Sequence, residues 1–360
     1  MEAEKELRLI KGNEAIAEGA IRAGADAYFG YPITPQTEVM EYLMEVDATQ
    51  RTGMVVLQAE SELSAINMVY GAASCGRRVM TSSSSPGISL MSEGISYLAG
   101  AELPCLLVNV ERGGPGLGTI QPSQADYFQT VKGGGHGDYK LLTLAPSSVQ
   151  EMADFMALGF DLALKYRNPV MILTDGAIGQ MMEKVYLPEQ RPRLTEYPDW
   201  ATTGTKPGRE RNYITSLNLL PSEHEKVNIR LQAKYKRMQE EEVRYETLYC
   251  DDADYVIVAF GIIARIAQKA IDLMRSQGIK IGLFRPISLF PFPTNEIQAL
   301  AENPRIKGLM SVELSAGQMI EDVRLAVEGR KPVKFFGRLG GMVPTPEEIE
   351  AAVKKEFDIK

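Results

Sequence analysis

The carboxylate of Glu62 stands where an apolar run, Gly53-Met54-Val55-Val56-Leu57-Gln58, gives way to a stretch with Ala65, Val69, Ala72 and Ala73 at helical spacing. The run is rich in Val and reads as a buried strand; the stretch reads as a tightly packed helix. An acid at the mouth of such a helix, beside the ends of a parallel sheet, lies where open α/β folds place ligands. Small residues behind it let another chain or a flat ligand come close. The macrodipole favours an acid in any first turn, so the position alone leaves both readings open. Tyr31-Pro32-Ile33-Thr34-Pro35 ends a different strand. Its two prolines fix φ and remove two backbone donors, so the Thr34 hydroxyl sits in a stiff loop. Residues Thr81 to Ser85 offer five consecutive hydroxyls followed by Pro86-Gly87. Such a loop lines a polar ligand or bonds to itself in turns, and by itself the turn reading is preferred. Arg112 follows a further buried strand and opens a glycine run, Gly113-Gly114-Pro115-Gly116-Leu117-Gly118. Its planar fork matches a carboxylate, with a salt bridge to Glu111 or another local acid as the competing use. The run continues into Thr119-Ile120-Gln121-Pro122 with no opening helix, so it is not a dinucleotide fingerprint.

Other chemistries are poorly served. His136 and His224 are the only histidines. A histidine-based metal site or a Ser-His-Asp triad therefore finds no support unless His136 is its base. His136 lies in Gly133-Gly134-Gly135-His136-Gly137-Asp138, where a structural or gating role is favoured over catalysis. Cys75, Cys105 and Cys250 are scattered with no C-x-x-C, which argues against a cluster or zinc site in this chain and against a disulfide framework.

The elements that must position these groups alternate. A helix over 12–24, a strand over 27–32, strands over 78–81, 104–110 and 141–144, a helix over 147–166 and a strand over 169–175 predict a mainly parallel sheet with helices on both faces. The pattern dissolves over Pro188–Gly208 into a linker or surface arm. Residues 222–248 read as one amphipathic helix bridging domains, with Leu231, Tyr235 and Met238 on its apolar face. A second α/β unit follows: a strand over 255–261, a helix over 263–277, and strands over 281–285 and 307–313. The expected fold class is α/β, with domains at 1–185, 186–249 and 250–360.

The chain has 360 residues, 44% hydrophobic and 24% charged, with a net charge of −8. That balance suits a globular protein and makes nucleic acid or an anionic membrane an unsuitable partner. No apolar run is long enough to span a bilayer and Met1-Glu2-Ala3-Glu4-Lys5 is no signal peptide, so a cytoplasmic location is expected.

Together the Tyr31-to-Pro35 segment, the Glu62-x-x-Ala65-x-x-x-Val69-x-Gly71-x-Ala73 pattern and Arg112 resemble the alpha subunit of 2-oxoacid:ferredoxin oxidoreductases. The family often has Ala where Val69 stands, and Glu62 is preferred to Glu60 by its distance to Gly71. The resemblance implies a thiamin-diphosphate-binding (pyrimidine-domain) parallel sheet fold over 1–185, followed by a transketolase C-terminal-like α/β domain over 250–360. It implies that Glu62 hydrogen-bonds N1′ of the aminopyrimidine of thiamin diphosphate and so activates the thiazolium C2. Tyr31, Pro32, Ile33, Pro35 and Ser85 are implied to contact this cofactor. Thr34 and Arg112 are implied to bind the keto and carboxylate groups of the 2-oxoacid. Oxidative decarboxylation would pass electrons through 4Fe–4S clusters to ferredoxin, with coenzyme A taking the acyl group. The substrate implied first is 3-methyl-2-oxobutanoate, then 2-oxoglutarate, whose distal carboxylate needs a second cation; Arg77, Arg78, Lys132 and Lys140 are the candidates. A non-catalytic assembly subunit and a transketolase-like non-redox enzyme are the rival readings. The chain has no Gly-Asp-Gly magnesium motif, and Thr174-Asp175-Gly176 reads as a strand-ending turn. Mg²⁺, the diphosphate contacts and the clusters are therefore expected from partners: a beta subunit, a gamma subunit and a ferredoxin-like delta subunit. No fused gamma domain is expected ahead of the helix at Gly12, and the chain is expected to be inactive alone.

Overall fold

The computed structural model describes residues 6–204 and 210–359, so the expectation for Met1 to Lys5 and part of that for the Pro188–Gly208 arm lie outside the described residues. The first half runs β1 (Leu7–Lys11), α1 (Gly12–Arg22), β2 (Ala27–Gly30), α2 (Thr37–Glu45), α3 (Ala48–Thr52), β3 (Val55–Gln58), α4 (Glu62–Ser74), β4 (Val79–Ser83), α5 (Ser85–Gly100), β5 (Cys105–Glu111), α6 (Tyr127–Val131), β6 (Leu142–Leu144), α7 (Val149–Tyr166), β7 (Pro169–Asp175), α8 (Gly176–Gln180) and β8 (Met182–Tyr186). The second half runs α9 (Pro221–Glu241), β9 (Tyr245–Leu248), β10 (Tyr255–Val258), α10 (Gly261–Ser276), β11 (Ile281–Pro286), β12 (Ser288–Phe290), α11 (Thr294–Glu302), β13 (Gly308–Glu313), α12 (Met319–Val327), β14 (Val333–Gly337) and α13 (Pro346–Glu356).

Seven strands form the larger sheet in the order β12-β6-β7-β5-β4-β2-β3, parallel except for β12. Its centre reads as continuous apolar strands because helices cover both faces: β5 and β7 are buried at every residue. The smaller sheet has the order β14-β13-β10-β11-β9, with only β9 antiparallel. A third, two-stranded ribbon pairs β1 with β8. After β2 the chain turns one way, to β3; after its neighbour β4 it turns the other way, to β5. Connections leaving adjacent parallel strands in opposite directions open a crevice at their carboxyl ends, the usual ligand position in such sheets.

Three local expectations are corrected. The Gly53-to-Gln58 run forms the edge strand β3, and Val55 and Leu57 are 47% and 41% exposed rather than buried. An apolar pattern cannot distinguish a strand covered by its own chain from one left for another surface. The hydroxyl run is not a loop: Ser82 and Ser83 end β4, Ser84 caps α5, and Ser85-Pro86-Gly87 is its first turn, with proline where helices accept it. The charged helix stops at Glu241, and Tyr245–Leu248 is strand β9, paired with β11. Its apolar residues do what was expected: Leu231, Tyr235 and Met238 are buried. The arm after β8 lies against the first half, where Arg193 Nε pairs with the carboxylate of Asp26 at 2.9 Å.

The two sheets are joined through Gln124. Its backbone N–H donates to Leu314 O at 2.9 Å, its side chain accepts from Leu314 N at 3.0 Å, and its Nε2 donates to Phe260 O at 2.9 Å. Gln318 returns the contact, accepting from Phe128 N at 2.7 Å and donating to Ala125 O at 2.7 Å. Among the described residues no helix is long and apolar enough to cross a membrane.

Candidate active site

Glu62 is the first residue of α4, whose N-cap Ser61 accepts from Ser64 N. It is 7% exposed, and no hydrogen bond or ion pair from the described residues reaches its carboxylate. Its oxygens are not among the sealed unpartnered atoms, so the carboxylate opens onto the crevice and is free to pair with a group from outside the described residues. Across from it begins α5. A Cβ built on Gly87 would lie 2.6 Å from Glu62 Oε1 and 2.0 Å from Ser83 Oγ, so only glycine admits this approach. The hydroxyls of Thr81, Ser83 and Ser84 are buried and unpartnered.

The Tyr31-to-Pro35 loop leaves β2 beside this crevice, and its Thr34–Pro35 peptide is cis. Gln36 is fully buried and anchors the loop: its Oε1 accepts from Ser82 Oγ at 2.6 Å and its Nε2 donates to Tyr31 O at 3.3 Å. Ser82 Oγ in turn lies 2.9 Å from the Tyr28 hydroxyl, whose burial pushes its pKa up to about 12. On the other side Asn13 Nδ2 donates to Pro35 O at 2.7 Å and to Glu38 Oε2 at 2.6 Å, and Gln180 Nε2 reaches Pro35 O at 3.2 Å. Thr34 is thereby left exposed on a doubly anchored loop.

Arg112 reaches the same loop. Its Nη1 donates to Thr34 O at 2.9 Å and its Nη2 to Leu117 O at 3.3 Å, while its Nε is buried without a partner. It forms no salt bridge with Glu111. Instead, the fork is held by two carbonyls, which leaves its positive charge uncompensated. Ser85 ties this arginine to α5: its Oγ accepts from Arg112 N at 3.0 Å and lies 3.2 Å from Arg112 O. Asn109 joins Ser85 to Asp126, accepting from Ser85 N at 3.1 Å and donating to Asp126 Oδ2 at 2.9 Å. Behind them Glu111 Oε1 accepts from Asp126 N at 2.8 Å. Burial raises the pKa of Glu111 well above the usual carboxylate range, and the charges of Asp126 and Asp175 push it further. Burial also raises Asp126. Asp175 is pushed up to about 6 by burial, against the N–H groups of Ile178, Ala177 and Ile262 that bond to it. It caps α8 through the first two, as a strand-ending turn does.

Sequence reasoning thus singled out Glu62, Thr34, Arg112 and the segments around them, and the fold gathers these at one edge of the larger sheet. It missed Asn13, Gln36, Asn109, Glu111 and Asp126. These are single polar residues within apolar runs or helix starts, and only the Pro86-Gly87 pair carried a signal for the close approach at Gly87. His136 is placed elsewhere, toward the far end of α5, with its Nδ1 3.3 Å from Ser96 Oγ. With His224 it lines a cleft of about 510 Å³. The four candidate second cations are also removed. Arg77 and Arg78 precede β4, at the opposite edge of the sheet, and donate to Leu194 O and to Ala23 O and Pro192 O. Lys132 pairs with Asp322, and Lys140 donates to Val131 O at 3.2 Å. Among the described residues no cluster of His, Cys, Asp or Glu could hold a metal ion.

The chain is similar to known proteins over nearly its whole length. Residues 18–247 match the family model described as pyruvate flavodoxin/ferredoxin oxidoreductase, thiamine diphosphate-binding, and residues 253–349 match pyruvate:ferredoxin oxidoreductase core domain II. The chain is 51% identical over 337 residues to ketoisovalerate oxidoreductase subunit VorB of Methanothermobacter thermautotrophicus, covering 93% of each chain. It is 35% identical over 370 residues to 2-oxoglutarate synthase subunit KorA of Methanocaldococcus jannaschii, covering 96% of this chain and 99% of that one. A solved 2-oxoglutarate:ferredoxin oxidoreductase from Magnetococcus marinus, with 2-oxoglutarate, coenzyme A and succinyl-CoA bound, superposes with a TM-score of 0.84 at 27% identity. The match covers 98% of this chain and 65% of that one, so this chain spans just under two thirds of its length. A split-gene transketolase shares the fold, with a TM-score of 0.60 at 13% identity.

Proposed function

The chain belongs to the 2-oxoacid:ferredoxin oxidoreductase family, and from that premise we infer that it is the alpha subunit of a cytoplasmic enzyme that decarboxylates 3-methyl-2-oxobutanoate oxidatively. The products are the branched acyl-CoA and CO₂, and the two electrons leave singly through 4Fe–4S clusters of partner subunits to ferredoxin. One observation carries this reading: Glu62 is a buried residue whose carboxylate receives no hydrogen bond or ion pair from the described residues, and it lies at the crevice between β2 and β4. An N1′ that carries a proton, as in the iminopyrimidine tautomer, is the complementary donor, and the glycine at position 87 lets the start of α5 come close to the acid. Thiamin diphosphate, when bound, supplies the electron sink for decarboxylation.

This chain's residues bind and orient. Glu62 holds the proton at N1′. Tyr31, Pro32, Ile33 and Pro35 present the wall beside the ring, and Ser85 holds the start of α5 against Arg112. Arg112 offers the substrate carboxylate a guanidinium already fixed on Thr34 O and Leu117 O, so little ordering is needed on binding. The Thr34 hydroxyl, on the same loop, meets the keto oxygen. In this division of labour residues 1–185 hold the pyrimidine, residues 186–249 link the two domains, and residues 250–360 buttress the site. A beta subunit grips the diphosphate through Mg²⁺ and carries a cluster, with gamma and ferredoxin-like delta subunits completing the path.

The named substrate is favoured over 2-oxoglutarate by the 51% relative and by the positions of Arg77, Arg78, Lys132 and Lys140, all engaged away from Arg112. A non-catalytic assembly subunit would not need Glu62, Thr34 and Arg112 together. The test is ferredoxin reduction by the reconstituted complex with 3-methyl-2-oxobutanoate, 2-oxoglutarate and pyruvate in turn. Glu62→Gln, in a complex that still assembles, should lose turnover by several orders of magnitude. Turnover near the parental rate refutes the role given to this acid.

A further inference from the structure

Arg112 does more than wait for a carboxylate. Through Nη2 it holds Leu117 O, and so fixes the strap of residues 113–121 that follows it. The strap closes on itself, with Gly113 N donating to Gln121 O at 3.0 Å and Thr119 N to Gly113 O at 2.8 Å, while Arg112 bridges to Pro122. A small, rigid ring of backbone therefore stands beside the guanidinium. Its tip carries Leu117, 85% exposed, and its far limb carries Ile120, 55% exposed. Ile120 O would lie 3.5 Å from a Cβ on Gly176, the residue whose neighbour on the other side is the Pro35 ring. The Ile120 limb of the strap and the Thr34–Pro35 loop therefore meet at Gly176. Neither apolar side chain serves the chain's own core.

The second domain backs this strap. Leu339-Gly340-Gly341-Met342 is a tight turn closed by Met342 N and Leu339 O at 3.2 Å, with φ of +62° and +89° at its glycines. A Cβ on Gly341 would lie 2.4 Å from Gln121 Cβ and 3.0 Å from Thr119 Cγ2, and one on Gly113 would lie 3.2 Å from Gly341 N. Gly341 is the residue that lets the turn press on the strap so closely, while Gly340 serves the positive φ of the turn, and the contact leaves the strap no room to retreat toward the second domain.

We propose that Leu117 and Ile120 are the residues that select the alkyl portion of the 2-oxoacid, with the Gly340–Gly341 turn of the second domain setting their position. The inference rests on the reading of this chain as a 2-oxoacid-binding subunit and goes further in naming what grips the tail. The guanidinium that receives the carboxylate also anchors the strap, so head and tail are measured from one fixed point. A branched tail fills the space between Leu117 and Ile120; a methyl leaves it partly empty; a distal carboxylate would be desolvated there with no cation.

The test uses the complex of this chain with its partner subunits, measuring kcat/KM for 3-methyl-2-oxobutanoate, pyruvate and 2-oxoglutarate, KM for coenzyme A, and thiamin diphosphate content. Leu117→Ala and Ile120→Ala should each lower the ratio of kcat/KM for the branched acid over pyruvate by about tenfold or more, the usual value of lost apolar fit. Leu117→Lys should raise 2-oxoglutarate relative to the branched acid. KM for coenzyme A and cofactor content should stay at parental values. An unchanged substrate ratio overturns the inference. So does a rise in KM for coenzyme A at fixed ratio, which assigns the strap to the pantetheine arm, and so does loss of assembly, which makes it a subunit contact. A parental complex that turns over none of the three acids refutes the reading beneath the inference as well.

Discussion

Substituting Gly87 by alanine separates what the crevice needs for folding from what it needs for chemistry. The new methyl carbon would lie 2.0 Å from Ser83 Oγ, 2.6 Å from Glu62 Oε1 and 2.9 Å from Glu62 Cγ, whereas ordinary contact begins at 3.4 Å. Ser83 Oγ must withdraw by the 1.4 Å difference between 3.4 and 2.0, and Glu62 Oε1 by the 0.8 Å between 3.4 and 2.6. All three are side-chain atoms, so the fold accommodates the methyl at the low end of overpacking costs, about 1 kcal/mol. Chemistry is less tolerant. The Glu62 stem must move as well as its tip, and a misplacement of about 1 Å in a reacting geometry costs on the order of 10²-fold in rate. Gly87→Ala is therefore expected to assemble, to melt only a few degrees lower, and to turn over about a hundredfold more slowly. The double variant Ser83→Ala/Gly87→Ala removes the larger overlap and leaves the one with Glu62. It should regain most of the lost Tm and little of the lost rate. Steady-state ferredoxin reduction, beside thermal denaturation of the same preparations, reads both. A Gly87→Ala complex with parental kcat would show that the position of Glu62 is immaterial to the reaction.

The other predictions concern single groups. Arg112→Ala removes one charged contact to the substrate carboxylate, worth about 1.5–3 kcal/mol, so KM for the 2-oxoacid should rise by about 10- to 150-fold while KM for coenzyme A moves little; equal changes refute a carboxylate contact. Asp175 is held at about 6 in the fold, above its unfolded value near 3.8. Its ionisation thus opposes folding above about pH 6, and the penalty, of order 3 kcal/mol at most, fades as pH falls toward 4. Asp175→Asn removes this titration while keeping an acceptor for Ala177 N and Ile178 N. The difference in Tm between variant and parent should therefore favour the variant more at pH 7.5 than at pH 4.5, and a pH-independent difference refutes the assignment. Gln124→Ala breaks the two side-chain bonds between the two halves of the chain, keeps the backbone one, and should lower Tm by several degrees; an unchanged Tm means that the halves are joined elsewhere.

The sequence by itself determined the alternation of strands and helices, because burial on both faces of a parallel sheet demands unbroken apolar runs and each such run is visible locally. It also determined that Glu62, Thr34 and Arg112 each stand at the carboxyl end of a strand, since the turn residues that stop a strand are neighbours in the chain. Tertiary structure decided the rest. Strand order made β3 an exposed edge and placed β12, from the second half, in the first sheet. Order also put Arg77 and Arg78 at the wrong end of β4 to meet a substrate held by Arg112, although the strand itself was legible. The serine run looked uniform along the chain, yet one hydroxyl ties α5 to Arg112 while three others are buried without partners. These outcomes depend on which strands become neighbours and on which side chains then meet. Contacts between residues distant in sequence fix both, and no window of local pattern contains them.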